Sequence, residues 1–279
     1  MKALYVGIVV AALASHVETA RAAQSGAPEE VTLSFSDPSR VGSVLVQMQI
    51  GTLTIRAAER QDVQIEVREA GVRPFREAAR GPGPDSASGL RRLTQPAGLV
   101  AEESGNIIRL STGFRGTPSS LVMEVPVRTN IKVQAIGGGP VSIEGVDGDL
   151  EVNNMNGSIT LTNVSGSVVA HSSNGDVVAT VTRVSEGKAM AFTSFNGNID
   201  VSLPSSAKAS LHLRSTRGDV YTDFDLQAIA SKPVVRDSRQ AGGRYRLELA
   251  RAVEGTVNGG GPDFEFRTLN GNIYLRQGK

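Results

Sequence analysis

Apolar residues alternate with polar ones along nearly the whole chain. Val31/Leu33/Phe35, Val44/Val46/Met48, Leu53/Ile55, Val63/Ile65/Val67 and Tyr245/Leu247/Leu249 each sit two apart. A period of two puts one face of a strand in a core and the other in solvent, and long helical periodicity is hard to find. The pattern predicts an all-β protein. Arg80 to Gly98, rich in Gly, Pro and Ser, predicts a surface loop. The mixed-charge stretch before it (Glu66, Arg68, Glu69, Arg73, Arg76, Glu77, Arg80) predicts a solvated segment with a helical turn or two. Gly98 to Leu110 predicts a hairpin turning at Glu103-Ser104-Gly105-Asn106.

From Gly139 onward a repeat takes over. Glycines fall at 139, 148, 157, 166 and 175, nine apart, then at 197, 218 and 271. Two and four residues after each stands an apolar or small side chain, as in Ile159/Leu161, Val177/Ala179 and Ile199/Val201. Short fixed periods mark stacked folds. An antiparallel meander with Asn-Gly hairpin turns and a β-solenoid with Asn-Gly corners both suit a nine-residue unit. The position two before each Gly favours the solenoid. It is apolar at Val146, Met155, Val164, Phe195 and Leu269, and a corner lets residues such as Met155 and Ile159 both be buried. With two units per turn, Gly157, Gly175, Gly197 and Gly218 share one corner and Gly148 and Gly166 the other. Asn156, Asn174 and Asn196 then stack as a column. A demand for positive φ explains the glycine beside each Asn.

Composition narrows the possibilities. Met1-Lys2, the apolar run Ala3 to Ala14 and Ala20-Arg21-Ala22 have the form of a secretory signal cleaved near residue 22, too short for a membrane span. A single domain is expected over 23–279. Removing residues 1–22 takes away Lys2, Arg21 and Glu18, leaving 27 of 29 basic and 27 of 28 acidic side chains. That balance gives no reason to expect nucleic acid as partner. No later segment is apolar enough for a transmembrane segment. With no Cys, stability must come from burial and backbone hydrogen bonding. No Trp and 4% aromatics leave little stacking surface for sugars or nucleotides.

"VMEVPVRTNIKVQAIGGGPVSIEGVDGDLEVNNMNGSITL", "NGNIDVSLPSSAKASLHLRSTRGDVYTDFD" and "TVNGGGPDFEFRTLNGNIYLR" resemble the bacterial putative-adhesin family of β-strand-repeat domains, a domain-of-unknown-function family. The likeness runs from about Val44 to the C-terminus, with the loop at 80–98 a local departure. It implies a right-handed β-solenoid, export to the periplasm or cell surface, and no catalytic residues to carry over. The N-terminal strands and the C-terminal segment Leu226 to Gly261 are expected to cap the stack.

Candidate chemistry is thin. Calcium-binding nonapeptide rolls need a second Gly and a set Asp spacing that the repeat lacks, so no metal is expected. Nothing points to a cofactor. No G-x-S-x-G or Cys is present, and His171 and His212 take outward parity. "GGGP" at 137–140 and 259–262 lacks the Lys-Ser/Thr of a phosphate loop. Asp176, Asn198 and Asp219, with Asp200 nearby, form one outward column and are the candidate binding residues. The expected function is a non-enzymatic, adhesive or structural envelope module that binds a protein or glycan through its sheet faces, or associates with itself. The alternative is a polysaccharide-active enzyme whose paired carboxylates would come from Asp176, Asp200 and Asp219.

Overall fold

The computed structural model describes residues 29–69, 99–112, 119–229, 234–237, 245–248 and 252–278. The signal-like segment 1–22, the loop 80–98 and most of the mixed-charge segment lie outside them. Strands are numbered in chain order. The first are β1 (Glu29–Ser34), β2 (Gly42–Met48), β3 (Gly51–Ala58), β4 (Asp62–Glu69), β5 (Leu99–Ser104), β6 (Ile107–Thr112) and β7 (Ser119–Pro126). β8 (Thr129–Ala135), β9 (Val141–Glu144), β10 (Asp147–Asn156), β11 (Ile159–Asn174), β12 (Val177–Val184), β13 (Met190–Asn196) and β14 (Ile199–Pro204) follow. The last are β15 (Ala209–Ser215), β16 (Val220–Thr222), β17 (Gln227–Ile229), β18 (Val234–Asp237), β19 (Tyr245–Glu248), β20 (Ala252–Val257), β21 (Asp263–Asn270) and β22 (Ile273–Gly278).

All but β18 and β19 belong to one hydrogen-bonded system of 20 strands, which forms two layers around one core. In the first layer β6, β2, β8, β10, the second half of β11, β13, β21 and β15 run parallel in that order. In the second, β7, β3, β9, the first half of β11, β12, β14, β22 and β16 do the same. Parallel neighbours exclude the meander, because hairpin turns produce antiparallel pairs. Strand parity fills the space between the layers. Val133, Val152, Ala170, Phe192, Phe266 and Leu213 form one continuous inward ladder, and Ile55, Ile143, Leu161, Ala179, Val201 and Leu275 face it from the other layer. The result is a nearly closed, β-solenoid-like body.

Strand direction reverses at both ends. β4 pairs antiparallel with β7 and β1 with β4, while β5 pairs antiparallel with β6 across the two-residue turn Gly105-Asn106, both at positive φ. At the far end β20 runs antiparallel to β15 and β17 antiparallel to β20. Part of Leu226 to Gly261 therefore does lie at an end. The final strands do not: β21 and β22 sit inside the stack, with β21 between β13 and β15 and β22 between β14 and β16. The mixed-charge segment begins as strand, since Glu66 and Arg68 belong to β4.

Candidate functional site

Strands of the first layer pass to the second along one edge of the body, and there the repeat's polar residues gather. The links are Gly157-Ser158, Gly175-Asp176, Gly197-Asn198 and Gly271-Asn272, and the longer Thr216 to Asp219. The glycines stack in the order 139, 157, 175, 197, 271, 218. A Cβ at Gly157, Gly175, Gly197, Gly271 or Gly218 would lie 2.1–2.5 Å from the carbonyl oxygen of the glycine one rung away. None of these five has positive φ, so the sequence-based reason for them is corrected. Close approach of backbones, not left-handed conformation, demands glycine. Gly148 and Gly166 stack on the opposite edge, where a Cβ at Gly166 would stand 2.1 Å from Gly148 O.

Three polar columns flank the glycines. Asn174 donates to Asn156 Oδ1 (2.9 Å), Asn196 to Asn174 Oδ1 (2.8 Å) and Asn270 to Asn196 Oδ1 (2.6 Å). Asn156 Nδ2 closes one end on Ile136 O, and Arg217 reaches Asn270 at the other. Two residues earlier on each strand lies a buried column. Asn154, Ser172, Ser194, Thr268 and Ser215 donate to the carbonyls of Gly139, Gly157, Gly175, Gly197 and Gly271 at 2.8–3.0 Å. The Ser, Thr or Asn three residues before each glycine was a legible signal that the sequence reading passed over. Ser194→Ala should leave the half-buried Gly175 carbonyl without this donor and cost about 1–2 kcal/mol, with Ser194→Thr restoring most of it. Thermal unfolding of the two variants checks this.

The third column contains the residues singled out in the sequence. Asp176 N–H donates to Ser158 Oγ (3.2 Å), Asn198 N–H to Asp176 Oδ1 (2.7 Å), Asn272 N–H to Asn198 Oδ1 (2.8 Å) and Asp219 N–H to Asn272 Oδ1 (2.9 Å). Asp176, Asn198 and Asp219 thus share a column, with Asn272 between the last two. The missed signal is the tetrapeptide Asn-Gly-Asn-Ile, present at 196–199 and again at 270–273, the two rungs that stack directly. Asp200 lies two residues along, on the outer face of the second layer. Both its oxygens accept from Arg276, at 2.8 and 3.0 Å, and this hydrogen-bonded pairing raises the Arg276 guanidinium above its ordinary pKa. Beside them Tyr274 and Tyr221 stack, ring centroids 5.2 Å apart and planes 9° from parallel. The Arg276 guanidinium lies over Tyr274 at 5.5 Å, and Asn272 Nδ2 donates to the Tyr274 hydroxyl.

Met155 and Phe195 were expected in the core. They are 51% and 53% exposed, on the outer side of the glycine edge. Parity continues unbroken from Asn154 and Ser194, which occupy the inward positions. The outer face of the first layer forms a shallow groove lined by Ser43, Leu45, Asn130, Lys132, Asp149 and Glu151. Its charges are paired: Lys132 with Glu151 at 2.9 Å and Lys188 with Asp149 at 2.6 Å. His171 and His212 are exposed, as expected, and His212 Nε2 stands 3.4 Å from Asp263. Among the described residues no three His, Asp or Glu side chains converge as metal ligands, and no helix is long and apolar enough to cross a membrane.

The chain is similar in structure to a putative cell adhesion protein from Clostridium sporogenes, at 11% identity and a TM-score of 0.44, covering 90% of this chain and 100% of that one. It is also similar to a putative adhesin from Bacteroides fragilis, at 12% identity and a TM-score of 0.37, covering 89% of this chain and 97% of that one. No curated protein matches the chain in sequence. Residues 124–251 match the model of the family described as Toastrack DUF4097, in keeping with the resemblance to a domain-of-unknown-function family carried by the strand repeats.

Proposed function

We propose that this is an exported, non-enzymatic module of the bacterial envelope, in the periplasm or at the cell surface, that binds a protein or glycan through its outer sheet faces. In this reading residues 1–22 are a removed signal, 23–279 are one domain, the solenoid is right-handed and the Asn-Gly links are its corners. Asp176, Asn198, Asp200 and Asp219 belong to the binding surface. The observation that carries the reading is the tying of outward polar groups from rung to rung. Asp176 accepts the Asn198 N–H and Asp200 is held bidentately by Arg276. Carboxylates fixed in this way are rigid surface acceptors. They suit an extended partner better than they suit proton transfer, where a carboxyl must change its protonation state.

The test is binding of the purified protein to envelope fractions. The parent is expected to bind and the Asp176→Ala/Asp219→Ala double variant to bind at least several-fold more weakly, with its melting temperature within a few degrees of the parent. A screen of envelope polysaccharides runs in parallel. Release of reducing ends by the parent and not by Asp200→Asn would replace this reading with catalysis.

A further inference from the structure

We infer that the edge of β16 left unpaired by the described residues is a docking site for an extended peptide carrying a cationic side chain, Arg or Lys, opposite Tyr221; this rests on the binding role just proposed and names the partner's chemistry. β16 is the last strand of the second layer. It pairs with β22, and no described residue pairs on its other side. Ile273 N–H donates to Asp219 O. By the alternation of a parallel ladder, Asp219 and Tyr221 turn their backbone groups to β22, while Val220 and Thr222 turn theirs to the open edge. An incoming strand would find two N–H and two C=O groups there, the basis of recognition by strand addition.

The side chains select the incoming strand. Tyr221 is 50% exposed and is the last ring of a parallel stack with Tyr274, so its far face points toward the next rung's position. Asp219, two residues before it, is exposed, and just past the strand the exposed Asp223 accepts the Gln277 N–H at 2.7 Å. An aromatic face beside carboxylates attracts a cation both by its quadrupole and by charge. The stack already accepts such a group, since the Arg276 guanidinium lies over Tyr274. The same features turn away a second copy of the chain docking by its opposite end. The edge strands there, β1 and β5, carry exposed Glu30 and Glu102, which would meet Asp219 and Asp223. Charged edges prevent strand pairing in this manner.

The probe is a fluorescein-labelled seven-residue peptide of alternating Thr and Val with a central Arg, compared with its central-Glu analogue by anisotropy on the purified protein. The Arg peptide should bind at least about tenfold more tightly than the Glu peptide, and more weakly as salt rises. Tyr221→Ala should weaken it several-fold. Thr222→Pro, which removes an edge N–H and leaves the pairing with β22, should abolish binding. Asp219→Lys should reverse the preference between the two peptides, and it keeps the proposal falsifiable if Thr222→Pro does not fold. Equal affinity for both peptides, no Arg-peptide binding at millimolar protein, or an unchanged preference in Asp219→Lys overturns the assignment. Envelope binding that persists in Thr222→Pro alongside any of those results would sink the edge site and leave the broader binding role standing.

Discussion

Gly175→Ala is expected to lower stability by about 3 kcal/mol or more, a fall of roughly 6–12 °C in melting temperature for a domain of this size. The methyl group would stand 2.5 Å from both Gly157 C and Gly157 O and 2.6 Å from Ser158 N. All three are backbone atoms of the next rung, so no side chain can swing away. The rungs must separate, straining the Ile159 N–H to Asp176 O bond and the Asn174 to Asn156 amide bond on the same edge. Gly187→Ala is the control. Gly187 has φ +70° with nothing within 4 Å of the added methyl, so only the left-handed backbone penalty of about 1–2 kcal/mol applies. Urea unfolding of both variants separates the causes. A larger cost at Gly187 than at Gly175 would mean that backbone conformation, not rung contact, fixes the glycine column.

The fold is legible in the sequence where contacts are short-range. Ile159 pairs with Val141 and Val177, each 18 residues away, so a nine-residue period in the chain becomes a regular stack. The asparagine column and the two glycine edges follow from the same arithmetic. Where the period lapses, legibility lapses too. Gly271 enters the column between Gly197 and Gly218 because β21 and β22 pair with strands 53 and 74 residues earlier, and no spacing rule reaches that far. The candidate site was half visible for this reason. Asp176 and Asn198 lie on consecutive rungs, whereas Asn272, Tyr274 and Arg276 come to Asp200 and Tyr221 only through the inserted rung. Met155 and Phe195 went wrong for a different cause. Burial was assigned from their apolar character, but the inward positions beside the glycine carbonyls must go to hydrogen-bond donors, which Asn154 and Ser194 supply.

Deleting residues 263–279 is expected to abolish cooperative folding. In a stack built in chain order, losing the last two strands removes one terminal rung and shortens the body. Here β21 and β22 separate β13 from β15 and β14 from β16, so their removal opens the middle. Phe264, Phe266, Ile273 and Leu275 are each at most 1% exposed, and their burial contributes together roughly 6–12 kcal/mol. That is comparable with the whole stability of a domain, about 5–15 kcal/mol. Phe192 would also lose the ring stacked on it at 5.2 Å, and four inner strand edges, those of β13, β14, β15 and β16, would be left unpaired. The truncated chain should show no sigmoidal thermal transition by circular dichroism. The milder variant Phe266→Ala should still fold, at a cost of about 3–5 kcal/mol. A truncated protein that melts cooperatively within a few degrees of the parent would show that β15 and β16 can close directly onto β13 and β14. The final rung would then be an addition to a finished stack, whereas the present pairing makes it the piece that joins the two parts.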